Sequence, residues 1–223
     1  MKTIHITTLR FPGLCLNRAD AHRLRGYFSH LFRERSPLLH NHLEGGGLRY
    51  QYPLVQYKVV HGGIPVLVGL QEGAELLLEL FTKVDHLQLG DRYYPTKDKQ
   101  IEFRTDDFGC THQLHRYRFD SLWMALNQNN YERYRQASPE EQKQMLNKIL
   151  IGNILTFFKG IDLRIQVQLL VDFQMRGEQS KETQFKNQRM IAFNGYFTTN
   201  AYLPPYIGLG KSTARGFGTI RPA

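Results

Sequence analysis

Residues 54–69, LVQYKVVHGGIPVLVG, decide the fold. Residues 54–60 and 64–69 are rich in β-branched and aromatic types and read as two strands. His61-Gly62-Gly63 between them is a tight connection, so the pair predicts a β-hairpin. Working outward toward the N-terminus, KTIHITTLRF (2–11) alternates and predicts a strand. Asn17 is placed to cap the helix that follows, with Asp20 at its third position. Leu24, Tyr27, Phe28, Leu31 and Phe32 give that helix an apolar stripe, and Ser36-Pro37 ends it. Residues 38–50 form a polar, glycine-rich loop. Toward the C-terminus, QEGAELLLELFT (71–82) predicts a second helix and 84–90 a fourth strand. The order β-α-β-β-α-β is the ferredoxin-like signature.

A polar stretch at 91–100 leads to an expected domain boundary near residue 105, in Thr105-Asp106-Asp107-Phe108-Gly109. The expected domains are therefore 1–105 and 106–223. The second half opens with a strand-like HQLHRYRF (112–119). A helix over 138–158 is marked by a Ser138/Glu141 capping box, Pro139 at the first helical position and Gly160 as the stop. Alternation predicts strands at 163–173 and 189–197. The element order makes this half a second ferredoxin-like unit without direct sequence repeat, so the expected class is α+β with two such domains in tandem.

The chain has 223 residues, 41% of them apolar, enough for a sizeable core. Lys and Arg number 29 against 20 Asp and Glu, a formal charge of +9. That balance invites a polyanion as partner. Cys15 and Cys110 are too few for a disulfide scaffold or a four-cysteine zinc site and are expected to be free thiols. The absence of an apolar leader region or a membrane-length apolar run points to a soluble, cytoplasmic protein.

The tail IGLGKSTARGFGTI (207–220) sets Gly208, Gly210, Gly216 and Gly218 around Lys211, Ser212 and Arg215. Glycine allows close backbone approach to a phosphate, and the cations neutralise it. The same composition also suits a glycine-rich hairpin with no ligand. Gly210-Lys211-Ser212 resembles the end of a nucleotide-binding P-loop, but that motif needs a glycine where Pro205 stands. His40 and His42 form a second feature. In an extended segment, residues two apart share a face. Paired imidazoles, titrating near pH ~6.5, suit proton transfer to and from an RNA 2′-hydroxyl and its leaving oxygen. They also suit metal binding, which needs at least one further ligand; Asp91, Glu44 and His61 are available without a spacing that nominates them. Two ordinary loop histidines are the third reading.

The glycine tail resembles the C-terminal loop of the repeat-associated mysterious proteins of CRISPR systems. RLRGYFSHLF (23–32), LLHNHL (38–43) and RYQYPLVQYK (49–58) resemble the N-terminal half of that superfamily's repeat-processing endoribonucleases, in the branch with a histidine pair after the first helix. The resemblance implies metal- and cofactor-independent cleavage of CRISPR repeat RNA, leaving 2′,3′-cyclic phosphate and 5′-hydroxyl ends. It puts general acid/base work on His40, with His42 as partner or substitute, and transition-state or positioning roles on Tyr50 and Lys58. Arg18, Arg23, Arg25 and Arg49, with Gly208, Gly210, Lys211, Ser212, Arg215, Gly216 and Gly218, are the expected RNA contacts. A basic stretch at 176–189 is a further candidate. Superfamily relatives that hold guide RNA without cutting it supply the alternative, a non-catalytic RNA-binding subunit. Other CRISPR-associated proteins and a second copy of the chain are the remaining partners the resemblance allows.

Overall fold

A computed structural model describes residues 1–31, 52–176, 181–185 and 188–223. The chain divides into two compact units, 3–106 with 213–216, and 107–212 with 1–2 and 217–223. The division falls inside a strand rather than in a linker, and four residues of the glycine tail belong with the N-terminal unit.

In the N-terminal unit, β1 (Lys2–Arg10) leads through a short 3-10 turn, Arg18–Asp20, into α1 (Ala21–Leu31). Asn17 and Asp20 form the capping box there, with the Asn17 amide donating to Asp20 Oδ2 at 3.1 Å. The hairpin forms as read. β2 (Val55–Val59) runs antiparallel to β3 (Pro65–Leu70), with Tyr57 opposite Leu67. Gly63 has φ +76°, and a Cβ on it would lie 2.7 Å from Cys15 Sγ and 2.9 Å from Leu16 O, so the turn needs glycine twice over. α2 (Glu72–Lys83) follows, and its Leu77 and Leu80 share one buried core with Leu24 and Phe28 of α1.

The fourth strand forms where the sequence puts it but does not join the sheet. β4 (His86–Leu89) turns at Gly90, φ +65°, and pairs with β5 (Arg92–Pro95) in a hairpin of its own. Thr96 closes its base, donating its amide to Asp85 O at 2.9 Å and its hydroxyl to Val84 O at 3.2 Å. The place beside β1 goes to β6 (Gln100–Phe119), a strand of 20 residues, giving the sheet order β2-β3-β1-β6. Arg104 on β6 donates to Thr8 Oγ1 on β1 at 3.4 Å and pairs with Asp106 at 2.9 Å. Its ion pair keeps the polar Thr105-Asp106-Asp107 run in the strand where composition reads a loop.

The C-terminal unit starts within β6. α3 (Gln128–Gln136) and α4 (Pro139–Gly160) follow, then β7 (Val171–Met175). The hairpin β8 (Lys181–Phe185) with β9 (Gln188–Ala192) comes next, then β10 (Gly195–Tyr202) and β11 (Ile220–Pro222). The α4 capping box is present, with Glu141 accepting from the Ser138 amide at 2.8 Å. β10 pairs with both β7 and β6, and β11 pairs with β6. β6 residues 117–118 face β10 and β11 together, so these two lie on its opposite edges and the order is β7-β10-β6-β11. This repeats the N-terminal order, with the tail in place of the second helix. Both units are thus ferredoxin-like in topology.

Two strand expectations change. Residues 163–170 are irregular, held by Asn200, which accepts from the Leu170 amide at 2.8 Å and donates to Gln168 O at 3.0 Å. The 189–197 run splits into β9 and β10 because Phe193 leaves the ladder to pair its backbone with Trp123 at 2.8 and 2.9 Å. Trp123 and Phe193 then join Phe119, Phe173 and Phe197 in an aromatic core. Cys15 and Cys110 are free thiols. Among the described residues no helix is long and apolar enough to cross a membrane.

Gly218 shows what the tail demands of its glycines. Its φ is +62°, and a Cβ there would lie 1.8 Å from Leu209 O. Gly218→Ala is expected to cost on the order of 3–4 kcal/mol, the left-handed backbone adding to a clash with a carbonyl. Urea unfolding checks this; an unchanged midpoint would mean the tail relaxes around the added methyl.

Candidate active site

Of the residues expected to do chemistry, Lys58 lies within the described part, whereas His40, His42, Arg49 and Tyr50 lie outside it. β2 places Val55, Tyr57 and Val59 in the core under α1 and α2. Strand alternation turns Gln56 and Lys58 to the other face. There both are buried, Gln56 at 0% and Lys58 at 1% exposure. Lys58 Nζ donates to Gln56 Oε1 at 2.9 Å, and Gln56 Nε2 donates to the Tyr52 hydroxyl at 2.8 Å and Pro53 O at 3.2 Å. A glutamine so tethered presents its carbonyl oxygen to the lysine in a fixed place. Burial pushes the Lys58 pKa down to about 7. The ammonium therefore exchanges its proton near neutral pH, as a group that supplies and withdraws positive charge in a reaction must.

On the opposite face, Tyr57 stacks on Phe28 with ring centroids 5.8 Å apart. Its buried hydroxyl has no hydrogen-bond partner among the described residues, and burial raises its pKa. β2 is an edge strand of this unit's sheet. The tail turn Thr213–Arg215 and Gly216 lie against it. A Cβ on Gly216, φ +85°, would stand 3.0 Å from Tyr57 O, 3.2 Å from Ala21 Cβ and 3.5 Å from Lys58 Cα. Only a glycine lets the tail backbone lie this close to the strand that carries Lys58. The same turn brings Arg215 beside Arg25 of α1. Burial, and then the neighbouring Arg25, lower the Arg215 pKa. Two guanidiniums held together repel each other and favour an anion such as a phosphate, which each can grip bidentately.

The other expected RNA contacts differ in setting. Arg18 is exposed, while Arg23 is tied to Asp20 at 2.7 Å. Gly208, Gly210, Lys211, Ser212 and Gly218 belong to the C-terminal unit. Gly208 bridges to Thr219, and a Cβ on Gly210 would meet Trp123 Nε1 at 2.7 Å. The close approach that Gly210 and Gly218 permit is thus to protein atoms. The Lys211 amide donates to Met124 O at 3.1 Å, and partial desolvation of its exposed side chain lowers its pKa. Ser212 takes a left-handed φ of 57° without being glycine.

Residues 2–107 match the N-terminal domain of Cas6b, and residues 109–223 match its C-terminal domain. The chain belongs to the Cas6b family. A crystal structure of Cas6b is 29% identical, with a TM-score of 0.92 and all of both chains covered. A second, of the CRISPR RNA processing endoribonuclease Cas6b, is 27% identical with a TM-score of 0.79, again over the whole of both chains. An uncharacterised protein of Methanocaldococcus jannaschii is 29% identical over 145 residues, 64% of this chain and 95% of that one.

Within this Cas6b fold, sequence reasoning missed Gln56, which accepts from Lys58, and Tyr52, which anchors Gln56. The signal was present in LVQYKVV, where two polar side chains sit two apart on one face of a strand otherwise made of core residues.

Proposed function

We propose that this chain cuts CRISPR repeat transcripts within the repeat, using the RNA 2′-hydroxyl as nucleophile and leaving 2′,3′-cyclic phosphate and 5′-hydroxyl ends. The observation that carries the reading is the end-to-end correspondence with a Cas6b solved as a CRISPR RNA processing endoribonuclease. Lys58 supports it from the geometry, as a buried amine titrating near neutrality on the strand against which the tail packs. His40 and His42 exchange the protons at the 2′-oxygen and the departing 5′-oxygen. Lys58 and Tyr50 stabilise the charge that builds on the phosphate. Arg18, Arg25, Arg49, Lys211 and Arg215 grip the backbone. No step in this scheme calls on a metal, and the place of action is the cytoplasm.

Labelled repeat RNA incubated with the protein in EDTA tests the reading. Cleavage in EDTA that a single 2′-deoxy substitution at the cut site abolishes is the expected result. Tight binding without cleavage would assign the chain instead to RNA-holding subunits. Cleavage that EDTA stops and a divalent ion restores would replace the histidine scheme with a metal one.

A further inference from the structure

The β4–β5 hairpin is not needed to complete either sheet, yet it carries a solvent-facing aromatic stack. Leu87, Leu89 and Tyr94 pack inward on the core. His86 and Tyr93 lie on the outer face, rings parallel to within 21° and centroids 4.8 Å apart. Tyr93 is 65% exposed although its strand neighbour Tyr94 is packed, so this tyrosine contributes nothing to the core. The stack is fixed from behind. Tyr27 of α1 donates its hydroxyl to His86 O at 2.8 Å and sets its ring edge-on to the imidazole at 6.2 Å. Asp85 binds His86 Nδ1 at 2.6 Å and orients the ring. Arg92 precedes Tyr93 in β5, but alternation sets its side chain on the face of Leu89 and Tyr94. Arg92 is exposed and bonded to Tyr94, and the Arg23–Asp20 pair lies close enough for Asp20 to act on Arg92. Asp20 is itself buried. Asp85 is open to solvent but engaged by the imidazole, and Asp91 is exposed at the turn of the same hairpin.

An exposed aromatic whose stack is fixed from behind is the equipment that holds an unpaired base. We propose that the His86–Tyr93 stack is a platform for one unpaired nucleotide of the bound RNA. This rests on RNA being the ligand and assigns a contact on the hairpin, away from the tail and the histidine pair in sequence.

Repeat RNA made uncleavable by 2′-deoxy at the cut site, with 2-aminopurine placed in turn at each unpaired position, is the probe. Tyr93→Ala is expected to weaken binding about tenfold, within the range stacking on one aromatic supports. It should also restore the fluorescence that the parent quenches at one position. Tyr93→Phe should keep both, and the melting temperature should be unchanged in each variant. Equal affinity of Tyr93→Ala and parent, or no position quenched by the parent alone, would overturn the platform. A parent that binds this RNA but leaves the same repeat with its 2′-hydroxyl intact uncut would overturn the endoribonuclease reading and leave the platform standing.

Discussion

Lys58→Met is expected to slow repeat cleavage by about 10²–10³-fold, the range for losing one preorganised charge-stabilising group, while making the protein more stable at neutral pH. Both effects come from the same burial. The folded-state pKa of about 7 lies below the ordinary lysine value of 10.5. Between those two values the unfolded chain holds a proton that the native state has given up, so stability rises with pH through that window. Below about pH 7 the penalty for the buried ammonium is present in full. Its upper bound is about 5 kcal/mol. Methionine is similar in length and uncharged, and it removes the penalty. Losing the Lys58 donor to Gln56 Oε1 takes back about 1–3 kcal/mol, leaving a net gain of at most about 2–4 kcal/mol at pH 6–7. Urea unfolding at pH 6, 8 and 10 reads the result. The variant should lead the parent at pH 6 and lose most of that lead by pH 10. A variant less stable than its parent at pH 6 would show that the ammonium is no burden to the fold. The rate carries its own signature. If the charged form acts, parent cleavage should fall as pH rises through about 7, and Lys58→Met should lack that limb. A residue that lowers stability while serving chemistry is what a functional site, rather than a packing site, leaves in a core.

The features legible in the sequence are those fixed by local chemistry. The 54–69 hairpin follows from alternation and the Gly62-Gly63 turn, and the two capping boxes, Asn17/Asp20 and Ser138/Glu141, sit at the helix starts. What the sequence left unread depends on distant partners. The 84–90 run is a good strand, but nothing within it says that it will pair with residues 92–95 and yield its place beside β1 to β6. Phe193 ends a ladder because Trp123, seventy residues earlier, offers it a better partner. The site divides the same way. Lys58 could be nominated from the chain, but alternation on an edge strand suggests a solvated face for Gln56 and Lys58. Their burial, and the seating of Gly216 over Tyr57 and Lys58, come only from packing.

His40→Ala/His42→Ala should abolish cleavage more completely than any other pair of substitutions, by about 10⁴-fold or more if the two imidazoles take separate proton transfers worth about 10²–10⁴ each. RNA affinity should change little if, as proposed, backbone binding rests on Arg18, Arg25 and Arg215 rather than on the histidines. Single-turnover cleavage in EDTA with saturating protein separates the two quantities. The single variants decide how the labour is divided. Nearly equal losses, with the double variant little worse than either, would mean the two side chains act as one unit. One large loss and one small would make the residue with the large loss the proton-transfer group and the other its orienting neighbour. Full rate in the double variant would remove both from the mechanism. The triple combination with Lys58→Met carries the argument further. If Lys58 stabilises the same transition state that the histidines protonate, its effect should shrink sharply once they are gone, because groups acting on one step are not additive. An undiminished Lys58 effect would place it in binding the substrate instead. The pH profile of the parent then reports the imidazoles and the lysine together as macroscopic values, belonging to the set rather than to one residue.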